Sequence, residues 1–371
     1  MRFPEFSGEW EEEQLDSIAT LSKGIGISKE QLSEDGEPCI LYGELYTKYK
    51  SEIIKQVESK TDIDCSKLKR SKANDVIIPC SGETAVDIAT ARCVPFDNIL
   101  LGGDLNIISL HKYDGAFMSY QLNGKRKYDI ARVAQGVSVV HLYGEHLKAI
   151  KTYNPSLPEQ QKIAKLLSLI DERIATQNKI IEDLKKLKSA IRKKIFSLLK
   201  DEYTKSFEIN QLLDYEQPTA YIVANDEYST DTRLTPVLTA NKGFILGYTD
   251  EKNGIYQKGA CIIFDDFTMD AKYVSFPFKV KSSAIKILTA KPNVNLRFMF
   301  EYLSHWELKS EEHKRHYISE ISPLVIELPS KEKQNIIALL MTSLNNKLTI
   351  EEKAKIRYDV QKGYLLSQMF I

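Results

Sequence analysis

The chain lacks the features that would place it in a membrane or in an oxidising compartment. None of its apolar runs is long enough to span a bilayer, and its start has no basic segment followed by an apolar one. The cysteines are odd in number and show no Cys-x-x-Cys spacing, which argues against a disulfide framework and a zinc site. We therefore expect a cytoplasmic protein with reduced, mostly buried thiols. The cysteines are Cys39, Cys65, Cys80, Cys93 and Cys261.

Motifs of common catalytic sites are also missing. There is no Gly-x-x-x-x-Gly-Lys-Ser/Thr phosphate loop, so ATP hydrolysis of that type is not encoded. No glycine-rich cofactor loop is found, and the histidines show neither a His-Glu-x-x-His motif nor another metal-ligand spacing. The sequence therefore predicts no catalytic residue, metal or cofactor in this chain. The histidines are His111, His141, His146, His305, His313 and His316.

Three short segments resemble catalytic motifs only in part. Residues 154–157 (NPSL) share two positions with the Asn-Pro-Pro-aromatic motif of amino-methyltransferases, but the second proline and the aromatic residue are absent. A helix start explains this segment better. Asp265 and Asp266 suit a metal or a loop that closes a strand. Glu351–Lys353 matches part of a nuclease motif, but it lies in a predicted helix and suits a solvated face.

Charge is balanced over the whole chain but is unevenly distributed. Fifty-one Lys and Arg residues offset 51 Asp and Glu residues, which argues against an obvious nucleic-acid binder. Residues 1–50 nevertheless hold five basic and eleven acidic residues, and residues 151–200 hold twelve basic and five acidic ones. This asymmetry permits a basic surface on a neutral protein. It is equally typical of any solvated helix.

A seven-residue apolar repeat runs through residues 154–200 and organises the chain. Its apolar positions alternate in steps of four and three, with Gln177 and Lys188 in the polar gaps, which predicts a helix that pairs with another helix. Pro155 and Pro158 suit the helix start. The helix would be roughly 60 Å long, a length that more often separates two domains than lies inside one. The apolar positions are Ile163, Leu167, Ile170, Ile174, Ile181, Leu184, Ile191, Ile195 and Leu198.

The same helix is repeated 174 residues later, at the C-terminus. Pro155 aligns with Pro329, Gln160 with Gln334 and Phe196 with Phe370, without a gap. A repeat this long indicates duplication of a whole domain with its helix. Glu351 and Lys355 replace Gln177 and Ile181, which predicts local fraying or a contact with another protein. The apolar positions of the second helix are Ile337, Leu344, Leu348, Leu365 and Met369.

The segments outside the two helices mix short β-rich runs with turns. Residues 75–79 predict a buried strand, and residues 98–109 predict a hairpin with Gly102 and Gly103 near its turn. Residues 9–15 suit an edge or capping segment, residues 81–84 a loop, and residues 123–124 a turn. The chain is thus predicted to be α+β, with segments 1–153, 154–200, 201–328 and 329–371. Helices are predicted at 114–122, 126–134 and 296–308, and further strands at 137–140, 243–247, 260–264, 276–280 and 284–288.

The start of each long helix closely resembles the Type I restriction–modification specificity subunits. NPSLPEQQKIAKLLSLIDERI carries the resemblance most strongly, and PSKEKQNIIALLMTSLNNKL is a weaker copy. RFPEFSGEWEEEQL near the N-terminus and NDVIIPCSG at the first buried strand are also similar to that family. The resemblance covers the whole chain. It implies two target-recognition domains and two long helices that pair antiparallel, as a pseudo-two-fold repeat.

The resemblance also implies partners and the absence of catalysis in this chain. Each recognition domain would bind half of a split, asymmetric site in double-stranded DNA, and the helices would dock two modification subunits. Those subunits would transfer the methyl group from S-adenosylmethionine. Restriction subunits would supply ATP-driven translocation and cleavage with magnesium. A coiled-coil adaptor without a DNA role, and an enzyme with an unrecognised site, are the alternatives.

Candidate DNA contacts come from polar loops and basic runs. Lys and Arg would neutralise phosphates, and the other side chains would contact phosphates or base edges. Tyr42 and Tyr46 are explained equally well as core residues, and the basic residues as ordinary surface charge. The candidates are Tyr42, Tyr46, Lys48, Ser81, Thr84, Lys125, Arg126, Lys127, Thr239, Asn241, Lys242, Lys272, Tyr273, Lys314 and Arg315.

Overall fold

The computed structural model divides the chain into two compact units. It describes residues 2–136, 139–199, 205–241, 243–306, 308 and 314–370. Unit 1 comprises Met1–Lys179 and Lys353–Ile371, and unit 2 comprises Ile180–Glu352. Each unit therefore holds one globular segment together with part of each long helix.

Unit 1 is built from short strands and short helices. Its strands are β1 (Glu11–Gln14), β2 (Ala19–Lys23), β3 (Leu32–Ser33), β4 (Glu37–Ile40), β5 (Lys60–Thr61), β6 (Asp75–Pro79), β7 (Ser81–Gly82), β8 (Arg92–Val94), β9 (Leu100–Leu101), β10 (Leu105–Leu110), β11 (Val140–His141) and β12 (Lys151–Asn154). Its short helices are α1 (Leu15–Ile18), α2 (Glu44–Thr47), α3 (Ala85–Ile88), α4 (Gly115–Asn123), α5 (Lys127–Val133) and α6 (Gly144–Lys148), with a 3-10 turn at Lys29–Gln31.

An antiparallel sheet in the order β2-β10-β6-β8 forms the centre of unit 1. Every residue of β6 is buried, which confirms the predicted strand. Successive side chains point to opposite faces, so Val76 and Ile78 pack with Met118 of α4 while Ile77 packs with Ile107 on the other face. The sheet is therefore covered on both faces.

The first long helix, α7, runs over Leu157–Leu199. It begins later than the predicted residue 154 because Asn154 ends β12, where it pairs with Glu11 of β1. This pairing also confirms that the segment around Trp10 is a sheet edge. Lys200 lies outside the described residues.

Unit 2 follows the same plan. Its strands are β13 (Lys205–Glu208), β14 (Leu213–Glu216), β15 (Thr235–Leu238), β16 (Ile245–Thr249), β17 (Cys261–Asp265), β18 (Ala271–Val274), β19 (Lys279–Val280), β20 (Ile285–Ala290) and β21 (Val325–Leu328). Its helices are α8 (Ile209–Leu212), α9 (Leu296–His305) and α10 (Lys331–Met369), with a 3-10 turn at Pro218–Tyr221 and a π turn at Tyr317–Ile321.

The two units share a sheet topology that their sequences do not reveal. The order β14-β20-β17-β18 in unit 2 repeats β2-β10-β6-β8 in unit 1. The pair β13–β21 likewise repeats β1–β12, which precedes α7 as β21 precedes α10. The duplication predicted from the helices therefore extends through both globular segments, and the chain has the predicted α+β fold.

In each unit the two long helices run antiparallel. In unit 1, Ile163 and Leu167 near the start of α7 pack with Met369 and Phe370 at the end of α10. Further along α7, Asp171 contacts Lys362 and Arg173 contacts Tyr358. Residue numbers therefore fall along α10 as they rise along α7, which shows that the two helices are antiparallel. This is the pairing that the family resemblance implied.

Unit 2 shows the same helix pairing. Phe196 and Leu199 near the end of α7 pack with Ile337 and Met341 near the start of α10. Lys185, further back along α7, pairs with Glu352. The helix α10 is unbroken over Lys331–Met369, so the predicted fraying around residues 351–355 is wrong.

Gln160 explains why a glutamine recurs at both helix starts. It is 1% exposed, and its side-chain oxygen accepts a hydrogen bond of 2.9 Å from the backbone N–H of Asp114, the N-cap of α4. Its amide nitrogen donates to the carbonyl of Pro155 at 2.7 Å. The side chain thus joins the start of α7 to the start of a helix in the globular segment.

Gln334 forms the same bridge in unit 2. Its oxygen accepts from the N–H of Asn295 at 2.8 Å, and its nitrogen donates to the carbonyl of Pro329 at 2.9 Å. Asn295 caps α9 by accepting from the N–H of Phe298, as Asp114 caps α4. The glutamine, its proline and the capped helix are therefore repeated together.

Gln160→Ala is expected to destabilise the protein by about 1–3 kcal/mol, because it leaves a buried N–H and a buried carbonyl without partners. Urea unfolding of the full chain measures the effect. Gln161→Ala is the matched control, since Gln161 is exposed on the neighbouring helix position. Equal midpoints for the two variants would contradict a structural role for the bridge.

Several local predictions are confirmed and others are wrong. Helices α4 and α5 and strands β17 and β20 lie where they were predicted. Residues 98–109 do not form a hairpin: β9 pairs with β4, and β10 pairs with β2 and β6. The predicted loop 81–84 contains the short strand β7. Helix α9 ends at His305, three residues before the predicted end. Within the strand predicted at 276–280, only β19 is a strand. The strand predicted at 243–247 is displaced to β16, and 137–140 is described only from 139 onward.

Leu198 does not lie on the seam, which is the line of apolar side chains along which α7 and α10 pack together. Its side chain is 46% exposed, whereas Phe196 and Leu199 are each 2% exposed. An α-helix has 3.6 residues per turn, so a seven-residue pattern drifts around it and other positions turn inward near its end. The seam therefore continues through Phe196 and Leu199.

Candidate nucleic-acid interface

Three predicted residues of unit 1 lie together in one groove. Tyr42, Tyr46 and Ser81 line a groove of about 640 Å³ that also contains the carboxylates of Glu83 and Asp87. The Tyr46 hydroxyl donates to the carbonyl of Ser81 at 3.1 Å, and burial raises the pKa of Tyr46. Carboxylates repel phosphates but can accept a hydrogen bond from a cytosine amino group. The groove therefore suits base edges better than backbone.

Two other predicted residues have partners within unit 1. Lys48 forms an ion pair of 2.7 Å with Glu44 and donates to Ser59 at 2.6 Å. Thr84 is the N-cap of α3, where its hydroxyl oxygen accepts from the N–H of Asp87. Both side chains hold local structure together, which gives them a role without DNA.

The basic run at residues 125–127 is only partly exposed. Lys125 is exposed, whereas Arg126 lies 5.1 Å from the ring of Tyr153 and pairs with Asp129 at 3.5 Å. Lys127 is half-buried, and burial lowers the pKa of its ammonium group. Of these three side chains, Lys125 alone is exposed to solvent.

A second basic run was missed by the sequence predictions. Lys69, Arg70 and Lys72 line a polar hollow of about 340 Å³ together with Ser22 and His111. Arg70 is held in a two-pronged contact with Glu37, at 2.5 and 2.9 Å. The signal was present, because Lys67–Lys72 holds four cations in six residues. The hollow also includes the carboxylate of Asp75, which is buried and accepts from the backbone N–H of Lys72. Its lysines and hydroxyls suit a phosphate backbone.

The predicted residues of unit 2 fall into three separate places. Thr239 is 8% exposed, and Asn241 accepts from the N–H of Gly243, so both shape the turn between β15 and β16. Lys242 lies outside the described residues. Lys314 pairs with Glu320 at 3.0 Å, beside the exposed Arg315.

Lys272 and Tyr273 lie on the edge strand β18, and Tyr273 lines a groove. The groove has a volume of about 860 Å³ and is lined by Arg297 and Lys331 without a carboxylate. The guanidinium of Arg297 lies 4.3 Å from the Tyr273 ring centroid. The fold thus gathers cations from α9 and α10 that the sequence predictions did not select.

The apolar residues predicted for helix pairing and subunit docking pack within this chain. All thirteen seam positions, from Ile163 to Met369, are buried or half-buried in the helix pairs. A different set of apolar side chains is exposed on the helices, outside the seven-residue pattern. These exposed residues are Leu169, Ile180, Leu187, Ile336, Leu339, Leu340, Ile350, Ile356, Val360 and Tyr364.

The acidic pair at Asp265 and Asp266 serves the fold. Asp265 accepts from the N–H groups of Phe267 and Thr268, and Asp266 forms a buried ion pair of 3.2 Å with Lys286. Within the described ranges, no three His, Cys, Asp or Glu side chains are arranged to hold a metal ion. These observations assign the pair to the loop that closes β17.

The cysteines are unpaired, as predicted. Four are buried and Cys65 is half-buried. Burial raises the pKa of Cys80 to about 11 and that of Cys261 to about 12, so both thiols stay protonated at neutral pH. Among the helices described, none is both long and apolar enough to cross a membrane.

Residues 7–186 and 201–357 each match the family described as the Type I restriction modification DNA specificity domain. The specificity subunit of the Escherichia coli enzymes EcoR124I and EcoR124II is 39% identical over 178 residues, which are 43% of either chain. The putative MjaX specificity subunit of Methanocaldococcus jannaschii is 25% identical over 251 residues, 60% of this chain and 58% of that protein. The matches therefore span about half the length of these relatives.

Solved structures agree in fold over the whole chain. The S subunit of a Type I restriction–modification system from M. genitalium has a TM-score of 0.69 at 17% identity, covering 100% of this chain and 99% of its own. A chain solved for the assembly and conformational transition of the type I R-M system has a TM-score of 0.56 at 12% identity, covering 98% and 97%. At these identities, the likeness shows the fold alone.

Proposed function

The chain belongs to the Type I restriction modification DNA specificity domain family, and from this premise we propose that it selects the DNA sequence for a Type I restriction–modification complex. The observation that carries the proposal is the duplication. Two units with one topology present different surface residues, as a protein needs if it is to recognise two different half-sites. The DNA site would therefore be bipartite and asymmetric. Such a subunit acts on cellular DNA in the cytoplasm.

The basic hollow of unit 1 supports contact with the DNA backbone. Lys69 and Lys72 have no carboxylate partner among the described residues and lie beside the hydroxyls of Thr20 and Ser22. Phosphates bind such cations regardless of sequence, while base edges provide the specificity. The neighbouring groove with Tyr42, Tyr46 and Ser81 would supply base contacts.

The exposed apolar residues of the two helices support docking of two modification subunits. Exposed apolar residues occur on both α7 and α10, so each helix offers a surface of its own. Leu187 on α7 is 48% exposed and Leu339 on α10 is 71% exposed, which is unusual for large apolar side chains unless another protein covers them. Restriction subunits would join through the assembled complex.

We assign no catalysis and no cofactor to this chain. S-adenosylmethionine would bind to the modification subunits, and ATP with magnesium to the restriction subunits. The coiled-coil adaptor remains as a second function, and it differs in predicting no DNA site.

Methylome sequencing of a host that carries the complete system tests the proposal. We expect one methylated bipartite motif that disappears when this chain alone is deleted. Purified chain without modification subunits should transfer no methyl group to DNA containing that motif. An unchanged methylome after the deletion would support the adaptor function, and methyl transfer by the chain alone would show an enzyme.

Replacing Lys67, Lys69 and Lys72 together by alanine should weaken DNA binding and make its salt dependence shallower. Each lost phosphate contact reduces the slope of log K against log salt by about 0.9, so three contacts would reduce it by about 3. The measurement is a binding titration of the complex at several salt concentrations. Lys29→Ala/Lys60→Ala/Lys252→Ala removes the same charge at other exposed positions. Equal slopes for the two triple variants would place the hollow away from DNA.

A further inference from the structure

The two equivalent sheets differ at one edge. In unit 1, the segment around Ile53 adds a parallel strand outside β8: the N–H of Cys93 donates to Glu52 at 2.8 Å, and the N–H of Ile54 donates to Cys93 at 3.0 Å. In unit 2, no strand pairs with the outer edge of β18 among the residues described.

The strand registers identify the matching residues. Cys93 lies opposite Val76, which lies opposite Ile108. Tyr273 lies in the same way opposite Ile262, which lies opposite Leu288. The backbone N–H and carbonyl of Tyr273 therefore point away from β17, as those of Cys93 point away from β6. No described residue forms a hydrogen bond with either group of Tyr273. An exposed sheet edge of this kind is a template for another strand.

The groove beside β18 is the counterpart of the place that this segment fills in unit 1. Lys55 donates to Ser168 and Glu172 of α7, at 3.0 Å each. The 174-residue repeat matches these two positions to Thr342 and Asn346, which line the groove of about 860 Å³ in unit 2. The groove in unit 2 thus corresponds to the place that the segment around Ile53 occupies in unit 1, and no described residue occupies it.

The groove also lacks the acidic group that its counterpart contains. In unit 1, Glu52 pairs with Lys362 of α10 at 2.5 Å. The repeat matches Lys362 to Lys188 of α7, which is half-buried and forms no ion pair within the part of the chain described. Burial lowers the pKa of Lys188, and the nearby buried carboxylate of Glu301, which itself pairs with Arg192 at 2.7 Å, offsets this only in part. Arg297 and Lys331 are the cations that line the groove itself, and the Nε of Arg297 is buried without a hydrogen-bond partner in the described residues.

We propose that an extended acidic segment of the modification subunit binds this groove as a parallel strand on Tyr273 and pairs a carboxylate with Lys188. The inference rests on the proposed function, because it takes the modification subunit as the partner. Addition of a strand to a sheet edge is a common mode of peptide recognition, with backbone hydrogen bonds for affinity and side-chain pockets for specificity.

The side chains around the groove define the segment further. Arg297 and Phe300 occupy the positions that Ala116 and Ser119 occupy in unit 1. Because the unit 2 side chains are larger, the space that corresponds to Ile53 is narrower in unit 2 and suits a small residue. A carboxylate at the position of Glu52 would meet Lys188. The expected sequence is therefore an acidic residue followed by a small one, in an extended conformation.

DNA fits the groove less well than a protein segment. Phosphate oxygens only accept hydrogen bonds, so they would leave the outward carbonyl of Tyr273 without a donor. The exposed Ile336 and Leu339 on α10, at 66% and 71%, also suit a protein partner better than a polyanion.

Hydrogen–deuterium exchange of the full chain tests the proposal, measured alone, with the modification subunit, and with duplex DNA. We expect the Tyr273 amide to exchange at least about tenfold more slowly with the modification subunit, because a new strand bond protects it. A complex that forms without slowing this amide overturns the inference alone. Slowing by DNA alone overturns it in favour of a DNA groove. If no complex forms, the proposed function fails as well.

Lys188→Gln provides the second measurement. We expect it to weaken binding of the modification subunit about tenfold or more, because truncating one partner of a buried charge pair is costly. Lys185→Gln, one turn away on the same helix, should change binding little, since Lys185 pairs with Glu352 at the surface. The thermal midpoint of the free Lys188→Gln chain should match the wild type, which separates binding from folding. Equal binding by the two variants overturns the proposed contact.

Discussion

Lys362→Met is expected to destabilise unit 1 by about 3–5 kcal/mol, the usual cost of removing one partner from a buried ion pair. Lys362 of α10 pairs with Glu52 of the globular segment at 2.5 Å and with Asp171 of α7 at 2.7 Å. The Tyr120 hydroxyl donates to the same Asp171 at 2.6 Å. One ammonium group therefore joins both helices to the globular segment, and its loss leaves the two buried carboxylates with no ion-pair partner and only the more distant charge of Arg92.

Urea unfolding at pH 7 measures this loss, with Lys355→Met as the control. Lys355 is half-buried and pairs with the exposed Asp359 one turn along α10, so the control should cost less than about 1 kcal/mol. Adding Glu52→Gln and Asp171→Asn to Lys362→Met removes the buried charges and should recover much of the stability. A single variant as stable as the control would contradict the structural role of the cluster.

The pH dependence of the Lys362→Met variant follows from the carboxylates. In the native protein burial raises the pKa of Glu52, and the charge of Lys362 offsets this only in part. Burial also acts on Asp171, but Lys362 and Tyr120 hold its pKa below the usual value. Without the cation, both pKa values should lie above those of the unfolded chain. The folded variant then binds more protons, so its stability should rise as the pH falls from 7 toward 5.

Inserting four residues after Lys179 should lengthen the spacer of the proposed DNA site without changing its half-sites. If α7 sets the distance between the two recognition units, four residues add about 6 Å and a net rotation of about 40°. One base pair contributes about 3.4 Å, so the spacer should grow by one or two base pairs. Lys179 is the last α7 residue of unit 1 and is exposed, so the insertion interrupts neither core.

Methylome sequencing of a host that expresses the insertion variant measures the spacer. Four residues inserted after Gly259, an exposed position where an added Cβ would meet no atom within 4 Å, should leave the motif unchanged. The insertion in α7 also shifts the seven-residue phase, so some loss of stability is expected. An active variant that retains the original spacer would show that α7 does not set it. Altered half-sites would show that this part of the helix contacts bases.

Local periodicity was sufficient to predict the helices and the duplication. The seven-residue pattern located α7 to within three residues at its start, and the offset of 174 located α10. The pattern is readable because each helix forms its hydrogen bonds within itself, so its apolar face depends only on nearby residues. The repeat of Gln160 at Gln334 was visible for the same reason, although its bridge to α4 was not.

Strand pairing was not predictable in the same way. Residues 100–101 and 105–110 form strands, but they join different sheets and not one hairpin. A strand finds its partner at long range, and neighbours in sequence are only one choice among many. Two alternating apolar runs beside two glycines therefore suggested a turn between paired strands that the fold does not contain.

The surroundings of the candidate DNA contacts were not predictable from the sequence, because partners distant in sequence determine which polar side chains are available, and the contacts themselves stay a prediction. Lys48 contacts Glu44 and Ser59, whereas Lys69 and Lys72 of the richer basic run line an open hollow, and neither fact is visible in the sequence. The duplicated order of domain and helix follows from the amino-acid sequence, since local patterns encode it. Only the folded chain shows that Lys362 forms ion pairs with two carboxylates while Lys188 forms none with the described residues, because burial and charge pairing depend on residues brought together from Glu52 to the last helix.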